Sequence, residues 1–451
     1  MDVHIQDNTL ILVGENGTGK STFVNLIYYF LTRQWNRLRE YRFHEIVAVL
    51  DKTELNVTPE RLEEFVAFQR EQNAAFRHLH PSVRRTVRRT MEQLSFPNVD
   101  NQYVLSTLMS ELDISPRRAR DLMHQYETGM TNRPPALLEI GKTIASLMTD
   151  QFLYLPTYRR IEQELKSIFR GSDMEPELKS IKERLAQRMS GHYVELVEFG
   201  MEDVEQTIAK RMAQIKESVR TGLDNLTGTY LRDVIRGVHT HVGVNAIRDI
   251  DSNTLDSMFA RIDENTLPAL DKQRLIAKVQ EMAGHSQIKS EDQVIAHFLT
   301  KLLELYTEQE ASERNVREFV KVCNEYLGGK ELVYDNIKYT IFLRQQYDLG
   351  EQSNFEDKVL QLQNLSSGEK QIVSLFSHVY LSGAKSFFVI IDEPELSLSV
   401  PWQRKFLPDI VRSGLSNGMV AVSHSPFVWD NALEPYVRSL AEFTSPHHVV
   451  R

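Results

Sequence analysis

The segment GENGTGKS, Gly14 to Ser21, has residue types and a spacing that suit the binding of a nucleoside triphosphate. It fits the pattern G-x-x-x-x-G-K-[ST] in full and lies between a strand-like and a helix-like run. Its glycines let several backbone N–H groups point at one anion at a helix N-terminus. The predicted nucleotide-binding residues here are Gly14, Glu15, Asn16, Gly17, Thr18, Gly19, Lys20, Ser21 and Thr22.

Three side chains of this loop are predicted to have separate roles. Lys20 should reach the β- and γ-phosphates, the Ser21 hydroxyl should ligate Mg²⁺, and Thr22 should contact the α-phosphate. ATP and Mg²⁺ are therefore the predicted cofactors. The alternative is a glycine-rich turn that merely enters a helix, which the complete pattern in its strand-to-helix context disfavours.

Two apolar runs end in groups that could act on a phosphate. SFFVIIDEPE ends in acids, and ligands bind at the C-terminal ends of buried parallel strands. Asp392 is predicted to hold Mg²⁺ with Ser21, and Glu393 to orient or deprotonate the attacking water. MVAVSHSPFVWD places His424 after another apolar run, where a neutral imidazole could bind the γ-phosphate. Glu393, His424 and Lys20 are the predicted catalytic residues of a Mg²⁺-dependent ATPase.

The segment NLSSGEKQIV, Asn364 to Val373, combines a turn signal with the start of a helix. Serine and glycine pairs usually mark turns, but an apolar pattern of helical spacing follows directly. The segment begins about twenty residues before FFVIIDEPE. A turn signal alone does not explain why a helix should begin at this point of the chain.

Composition limits the class of protein. A net charge of −9 over 451 residues argues against a surface that binds nucleic acid as a whole, although a local basic groove stays open. The single cysteine, Cys323, allows neither an internal disulfide nor a cysteine-built zinc site. The chain shows no signal-peptide pattern and no long apolar run, so we expect a cytoplasmic protein without a membrane segment.

Both ends of the chain have α/β character, and the pattern between them is largely helical. Residues 1–58 and 328–451 are predicted to form the two lobes of one head, to which residues 150–174 return. Residues 59–149 are a predicted helical insertion, and residues 175–327 a helical arm or bundle. These assignments require the two ends to pack together.

The predicted arm contains a stripe of apolar residues at a spacing of three and four, in DVEQTIAKRMAQIKESVRTGLDNL. Such a stripe forms either a coiled-coil seam or the core face of a bundle helix. Glycines interrupt it, so we expect a short arm or bundle and not a long rod. These glycines are Gly222, Gly228, Gly237, Gly243 and Gly284.

The order of P-loop, helical insertion, LSSGEKQ, IIDEPE and SHSP resembles the ABC-type ATPase head of the SMC and OLD (overcoming lysogenisation defect) group. The resemblance covers the two ends of the chain. It implies an α/β ABC-type P-loop ATPase head, with a mixed sheet and a small antiparallel β subdomain, carrying a large, mostly α-helical insertion.

The resemblance also gives LSSGEKQ a role. In this group the signature segment crosses a dimer interface and closes over the γ-phosphate of the partner's ATP. It implies that Ser366, Ser367, Gly368 and Glu369 contact nucleotide held by another copy of the chain. A serine hydroxyl and small residues at a helix N-terminus suit that task. The ATPase sites would then be composite, and the chain a dimer or higher homo-oligomer.

The sequence departs from the group at several places. Ser367 replaces the first glycine of LSGGQ and Glu369 its glutamine. The segment after Glu393 lacks the usual histidine but contains Ser397 and Ser399. The strand that normally precedes the P-loop strand is missing, which suggests a minimal head or a late start codon.

Two alternatives remain for the residue that would take the place of the Q-loop glutamine of ABC-type ATPases. Gln151 is one candidate. The segment YLPTYRRIE recurs at this place in OLD-like ATPases, and its Arg159 or Arg160 could serve the site instead.

OLD nucleases carry a Toprim domain, and too few residues follow His424 to form one. The resemblance therefore implies a separate effector, a Toprim-type or HNH-type nuclease, as in two-gene phage-defence systems. The AriA subunits of PARIS systems are the nearest group, and the PtuA subunits of Septu the second. Such a protein would be a sensor and scaffold that releases or activates its effector on a phage-encoded trigger.

A DNA-repair or DNA-clamp ATPase of the SMC type is the alternative, disfavoured by the short arm without a CxxC. The basic segments RRTVRR (84–89) and SPRRAR (115–120) could contact DNA or an acidic protein trigger that mimics DNA. A solvated helix face paired with acids is the simpler interpretation of both.

Overall fold

The computed structural model describes residues 1–15, 17–75, 83, 86–87, 90, 101–128, 135–156, 193–195, 201–237, 245–248, 250–262, 264, 267–285, 287–345 and 359–443. Contacts divide the chain into two compact units. The sheet unit comprises Met1–Val197, Lys385–Glu395 and Gln403–Arg451, and the helical unit comprises Glu198–Ala384 and Leu396–Trp402. The signature segment thus groups with the helical residues, whereas the sequence placed residues 328–451 together in the head.

The described strands fall into one large sheet and two small ones. In chain order they are β1 (Thr9–Val13), β2 (Ile46–Leu50), β3 (Thr53–Val57), β4 (Gln151–Leu155), β5 (Tyr193–Glu195), β6 (Lys330–Asp335), β7 (Thr340–Gln345), β8 (Val359–Leu360), β9 (Phe387–Asp392), β10 (Ser416–Ser423) and β11 (Val437–Ser439). Strand β5 lies in a stretch that the sequence predicted to be helical.

The described α-helices vary from one turn to more than thirty residues. They are α1 (Lys20–Leu31), α2 (Trp35–Leu38), α3 (Pro59–Ala75), α4 (Asn101–Leu112), α5 (Pro116–Thr128), α6 (Ala136–Leu147), α7 (Glu202–Ile235), α8 (Asn245–Arg248), α9 (Ser252–Ala260), α10 (Ala269–Ala283), α11 (Gln293–Asn324), α12 (Ser367–Leu381), α13 (Val400–Arg412) and α14 (Leu440–Phe443). Among the residues described, no helix combines the length and apolar character needed to cross a bilayer.

The large sheet has the strand order β11-β1-β10-β9-β4-β5, and every pairing in it is parallel. The N-terminal strand β1 lies between two strands from the C-terminal end of the chain, so the two ends pack together as expected. Strand β9 is buried along its whole length, as a strand covered on both faces should be. The α/β fold class is confirmed. The described strands of the large sheet are all parallel, whereas a mixed sheet was expected, and the strand pairs of the two small sheets are antiparallel.

Helix α1 is fixed to this sheet by aromatic packing and one buried hydrogen bond. The Tyr28 ring stacks on the Tyr154 ring of β4 with 4.2 Å between centroids. The Tyr154 hydroxyl donates to Asn25 Oδ1 over 2.6 Å. Because α1 follows the glycine-rich loop directly, these contacts also fix the direction in which that loop leaves β1.

The segments Glu45 to Thr58 and KELVYDNIKYTIFL (330–343) have the sequence pattern of paired strands, and each contributes to a small sheet. Strands β2 and β3 pair antiparallel around Asp51 and Lys52, whose φ values of 44° and 68° suit a tight two-residue turn. Strands β6 and β7 pair antiparallel, and β8 adds to β7. The sequence pattern places Asp335 and Asn336 in the β6–β7 turn; Asn336 lies there, at residues 336–339, while Asp335 is the last residue of β6.

The expectation of glycine-interrupted helices is wrong for α7. This helix runs unbroken for 34 residues through both Gly222 and Gly228 and packs against the 32-residue α11. A Cβ at Gly222 would lie 2.5 Å from Leu305 Cδ1 of α11, whereas one at Gly228 would meet nothing within 4 Å. Gly222 therefore serves close helix packing, which outweighs the low helix propensity of glycine.

Candidate functional site

The glycine-rich loop joins β1 to α1 and has the backbone that its sequence predicts. Gly17 and Gly19 have φ values of 79° and 94°, in the left-handed region that favours glycine. A Cβ at either position would meet nothing within 4 Å, so the backbone conformation and not lack of space calls for glycine. Thr18 Oγ1 donates to the main-chain oxygen of Glu15 over 2.9 Å and closes the loop.

Lys20 is the first residue of α1 and is 4% exposed. Its Nζ donates to the main-chain oxygens of Gly14 and Glu15, over 2.8 and 2.6 Å. The ammonium group is thereby held under the loop whose N–H groups are predicted to bind phosphate. This position suits a lysine that contacts the outer phosphates of a bound nucleotide.

The charge of Lys20 is influenced by three carboxylates. Burial lowers the pKa of Lys20 below its ordinary value, and Glu393, Asp392 and Glu395 each partly offset that effect through charge attraction. These acids follow one another at the end of β9. The predicted catalytic residues Lys20 and Glu393 and the predicted metal ligand Asp392 therefore lie in one electrostatic environment.

A direct contact joins the loop to the acid of β9. Ser21 Oγ donates to Asp392 Oδ1 over 3.0 Å, and Asp392 is 5% exposed. A hydroxyl and a carboxylate this close supply the hard oxygen ligands that Mg²⁺ prefers, with other positions left to water and phosphate. The two predicted metal ligands thus fit the predicted metal. Thr22, next in α1, is exposed.

Glu393 and His424 follow neighbouring parallel strands. Asp392 pairs with Val422 in the β9–β10 register, so the chain leaves both strands at the same edge of the sheet. The Glu393 N–H donates to the Val422 main-chain oxygen over 2.8 Å, and Glu393 has φ 56°. His424 is exposed, and Glu393 is half-buried. The structure thus brings Glu393 and His424 to the edge of the sheet at which β1 ends and the glycine-rich loop begins.

Sequence reasoning missed Glu395. Its carboxylate accepts hydrogen bonds from Ser423 Oγ and from the His424 main-chain N–H, each over 2.7 Å. A second acid two residues after Glu393 was the available signal, but only the β9–β10 register shows what it contacts.

The signature segment forms the start of α12 in the helical unit. Ser366 is the N-cap: its Oγ accepts from the Glu369 N–H over 3.4 Å, while Glu369 Oε2 accepts from the Ser366 N–H over 2.7 Å. This reciprocal capping box satisfies two N–H groups of the first turn. Ser366 and Ser367 are exposed, and Gly368 is buried. The turn that opens into a helix is confirmed.

Gly368 is required by a close backbone approach. A Cβ there would overlap the main-chain oxygen of Ser397 and lie 3.1 Å from Trp402 Cζ3. Ser397 itself has φ 62°. The segment that contains Ser397 and Trp402 therefore packs directly on the signature helix within the helical unit.

Glu369 has a partner that the sequence did not indicate. Lys330 Nζ, on β6, donates to Glu369 Oε2 over 2.9 Å and to the main-chain oxygen of Asn364 over 3.2 Å. Burial alone would raise the pKa of the Glu369 carboxyl, but hydrogen bonds from Lys330 and Ser366 outweigh it and the pKa falls below its ordinary value. Glu369 is therefore a charged but neutralised group at the start of α12.

The remaining predictions divide into two groups. Asn16, Arg159 and Arg160 lie outside the described residues. Gln151 begins β4 and pairs with Phe387, the first residue of β9, so it lies at the opposite edge of the sheet from Asp392. At about 3.3 Å per residue the separation is roughly 17 Å, which excludes Gln151 as the group equivalent to a Q-loop residue.

Part of the chain is similar to a known protein family. Residues 253–430 match a family model described as "AAA domain, putative AbiEii toxin, Type IV TA system", which covers less than half of the chain. No curated protein is found to match the sequence.

Among solved structures, the Smc head domain of Pyrococcus furiosus with an extended coiled coil, bound to the C-terminal domain of ScpA, is 12% identical with a TM-score of 0.24. That match covers 66% of this chain and 61% of the other, so the chain spans less than two thirds of its length. The Smc head domain of Pyrococcus yayanosii with a coiled coil and joint is 12% identical with a TM-score of 0.27, over 95% of this chain and 89% of the other.

With TM-scores this low, the fold is assigned from the strand order of this chain itself. The glycine-rich loop and the contact between Ser21 and Asp392 suit the binding of a nucleoside triphosphate with Mg²⁺. Residues 253–430, which include Asp392 but not the loop, are similar to an AAA domain.

Proposed function

We propose that this chain binds and hydrolyses ATP as the homo-oligomeric sensor and scaffold of a bacterial anti-phage defence system. It holds a separate effector, a Toprim-type or HNH-type nuclease, and releases or activates it when a phage-encoded trigger arrives. The AriA subunits of PARIS systems are the nearest model, and the PtuA subunits of Septu the second. The matched family description names a type IV toxin–antitoxin system, which supports a two-component arrangement.

The observation that carries the ATPase part is the hydrogen bond between Ser21 Oγ and Asp392 Oδ1. It joins the phosphate-binding loop to the acid at the end of β9. Mg²⁺ would supply positive charge at the phosphates there. Lys20 contacts the outer phosphates, Glu393 orients a water and takes its proton, and His424 donates a hydrogen bond where negative charge develops.

The finer part of the proposal is that each site is composite. Ser366, Ser367, Gly368 and Glu369 of one copy contact the nucleotide bound by Gly14–Ser21 of another. The exposed Ser366 hydroxyl and the capped N-terminus of α12 support this role, because both suit a phosphate. Neutralisation of Glu369 by Lys330 removes the repulsion that its carboxylate would otherwise exert. Oligomerisation is then a requirement of the chemistry.

An acidic phage protein that mimics DNA is the proposed class of trigger. Arg117, Arg118 and Arg120 are exposed in the first turns of α5 and support an acidic partner. The other basic segment, residues 84–89, lies largely outside the described residues. Strong, salt-dependent binding to duplex DNA would instead favour the DNA-clamp function.

The experiment compares the parent chain with Ser366→Arg and Lys20→Ala by light scattering and ATPase assay, with and without ATP. We expect ATP to increase the mass of the parent alone. Ser366→Arg should bind ATP with the parent affinity and fail to pair or hydrolyse, because its bulk and position block the second copy. Hydrolysis by Ser366→Arg at the parent rate would show that the site is not composite.

A further inference from the structure

The carboxylate of Glu395 bridges the ends of two strands that carry the proposed hydrolytic residues. Its Oε1 accepts from the main-chain N–H of His424, and its Oε2 accepts from Ser423 Oγ, both over 2.7 Å. Glu395 follows β9, whereas Ser423 is the last residue of β10 and His424 comes directly after it. Both carboxylate oxygens are thus used to hold one segment against the other.

A second set of contacts holds the same segment from its other side. Ser425 Oγ donates to Gln403 Oε1 over 2.6 Å, and the Ser425 N–H donates to Ser423 Oγ over 3.0 Å. Gln403 Nε2 in turn faces the main-chain oxygen of Glu395 at 3.5 Å. The main chain on both sides of His424 is therefore fixed, while its imidazole is exposed.

The turn that contains Glu393 needs such support. Glu393 has φ 56°, in the left-handed region, which is strained for a residue with a Cβ. Conformations of this kind persist where surrounding contacts hold them, and they cluster at functional sites. The contact of the Glu393 N–H with Val422 holds the turn on one side, and the Glu395 carboxylate holds it two residues later.

We propose that Glu395 is a positioning residue for hydrolysis: its carboxylate sets the distance between the Glu393 turn and the His424 main chain, so that both side chains act on the same phosphate. This inference rests on the proposed ATPase function. Glu395 does not contact the reacting atoms in this proposal. It acts through His424 and Glu393, and its loss lowers the hydrolysis rate more than nucleotide binding.

The test measures ATP binding and single-turnover hydrolysis by the full-length chain with Glu395→Ala, Glu395→Asp and Glu395→Gln. Alanine removes both contacts, and aspartate is too short to keep both. We expect each to lower kcat about 10- to 100-fold, as displacement of a catalytic group by about 1 Å does. Affinity for ATP should change less than about threefold. Glutamine still accepts from the His424 N–H and should recover most of the rate. Glu40→Ala, at an exposed acid of the sheet unit, is the control.

A double-mutant cycle separates positioning from general stabilisation. If Glu395 acts through His424, Glu395→Ala should add little to the loss already caused by His424→Ala. Fully additive losses would overturn the role, as would parent rates in Glu395→Asp and Glu395→Ala. If Glu395→Ala shows no folding transition in a thermal melt, the test uses Glu395→Asp and Ser423→Ala instead. Hydrolysis at the parent rate by both of these variants would overturn the positioning role of Glu395.

The same assay distinguishes failure of this inference from failure of the proposed function. If Glu393→Gln and His424→Ala both hydrolyse ATP at the parent rate, the proposed function fails and the role of Glu395 with it. If both are slow while Glu395→Ala and Glu395→Asp are fast, only the role of Glu395 fails.

Discussion

Ser21 Oγ donates a hydrogen bond to Asp392 Oδ1 over 3.0 Å, although the two residues are 371 positions apart in the sequence. The contact exists because β1 lies in the sheet between β10 and β11, with β9 on the far side of β10. The chain between Ser21 and Asp392 must therefore fold so that β1 and β9 still end at the same edge of the large sheet. The site depends on contacts of high sequence separation, which form late or slowly in folding.

Lys20→Ala should abolish measurable ATP binding, because it removes the one buried cation under the loop among the described residues of the site. Titration calorimetry with ATP checks this, with Lys52→Ala at the exposed β2–β3 turn as the control. Parent-like ATP affinity in Lys20→Ala would contradict the assigned role.

The affinity of the parent chain for ATP should depend on pH through Lys20. Burial lowers its pKa, so it loses its proton at a lower pH than an exposed lysine does. Affinity should therefore fall with rising pH before ordinary lysines, with a pKa of about 10.4, lose their protons. Binding measured as the pH is raised toward that value checks the sign. Affinity that rises or stays constant would argue against a charged Lys20 at the phosphates.

Glu393→Gln should slow hydrolysis about 100-fold or more while ATP binding persists, because the amide cannot take a proton from water. The chain should then accumulate as an ATP-bound oligomer. Light scattering after incubation with ATP reports the mass, and phosphate release reports the rate. A variant that hydrolyses normally, or that no longer binds ATP, would place Glu393 in another role.

Lys330→Ala should weaken ATP-dependent pairing about tenfold or more, because it leaves the Glu369 carboxylate without its cation. Adding Glu369→Gln should restore pairing, since the amide oxygen still accepts from the Ser366 N–H and carries no charge. Lys338→Ala, at the exposed turn of the same hairpin, is the control. Pairing that stays weak in the double variant would show that Lys330 acts by other means than neutralising Glu369.

Gly228→Ala and Gly222→Ala should change stability differently, although both lie in α7. Gly228 is exposed and open, so alanine there should raise the free energy of unfolding by about 0.5–1 kcal/mol. Alanine at Gly222 approaches Leu305 and should lose that gain or destabilise the chain, with overpacking costing about 1–3 kcal/mol. Thermal melts rank the variants. In a Leu305→Ala background, Gly222→Ala should stabilise the chain, because the side chain that it approaches is gone. Equal gains in the free energy of unfolding at both glycines would contradict the packing argument.

The sequence was sufficient for features whose causes are local. GENGTGKS, IIDEPE and LSSGEKQ each carry their chemistry beside the apolar run that forms their strand or helix, and β1, β9 and α12 appear where expected. The hairpin turn at Asp51 and Lys52 was likewise predictable from residue types.

Features that depend on distant partners were not predictable. Gly222 looked like a helix breaker because Leu305, which explains it, lies on another helix. Glu395 needed the β9–β10 register, and Glu369 needed a lysine from a separate hairpin. Gln151 was a candidate until the direction of β4 placed it at the wrong edge.

The unbroken α7 gives the helical unit one continuous element between the signature segment and Asp233. At about 1.5 Å per residue its 34 residues span roughly 50 Å. Near one end, Glu205 accepts a hydrogen bond from Gln363, just before the signature; near the other, Asp233 pairs with His297. A tilt of about 5° at the signature end would move the far end by roughly 4 Å. A rotation of α7 as a rigid body about its signature end would therefore displace the Asp233 end further than the signature end.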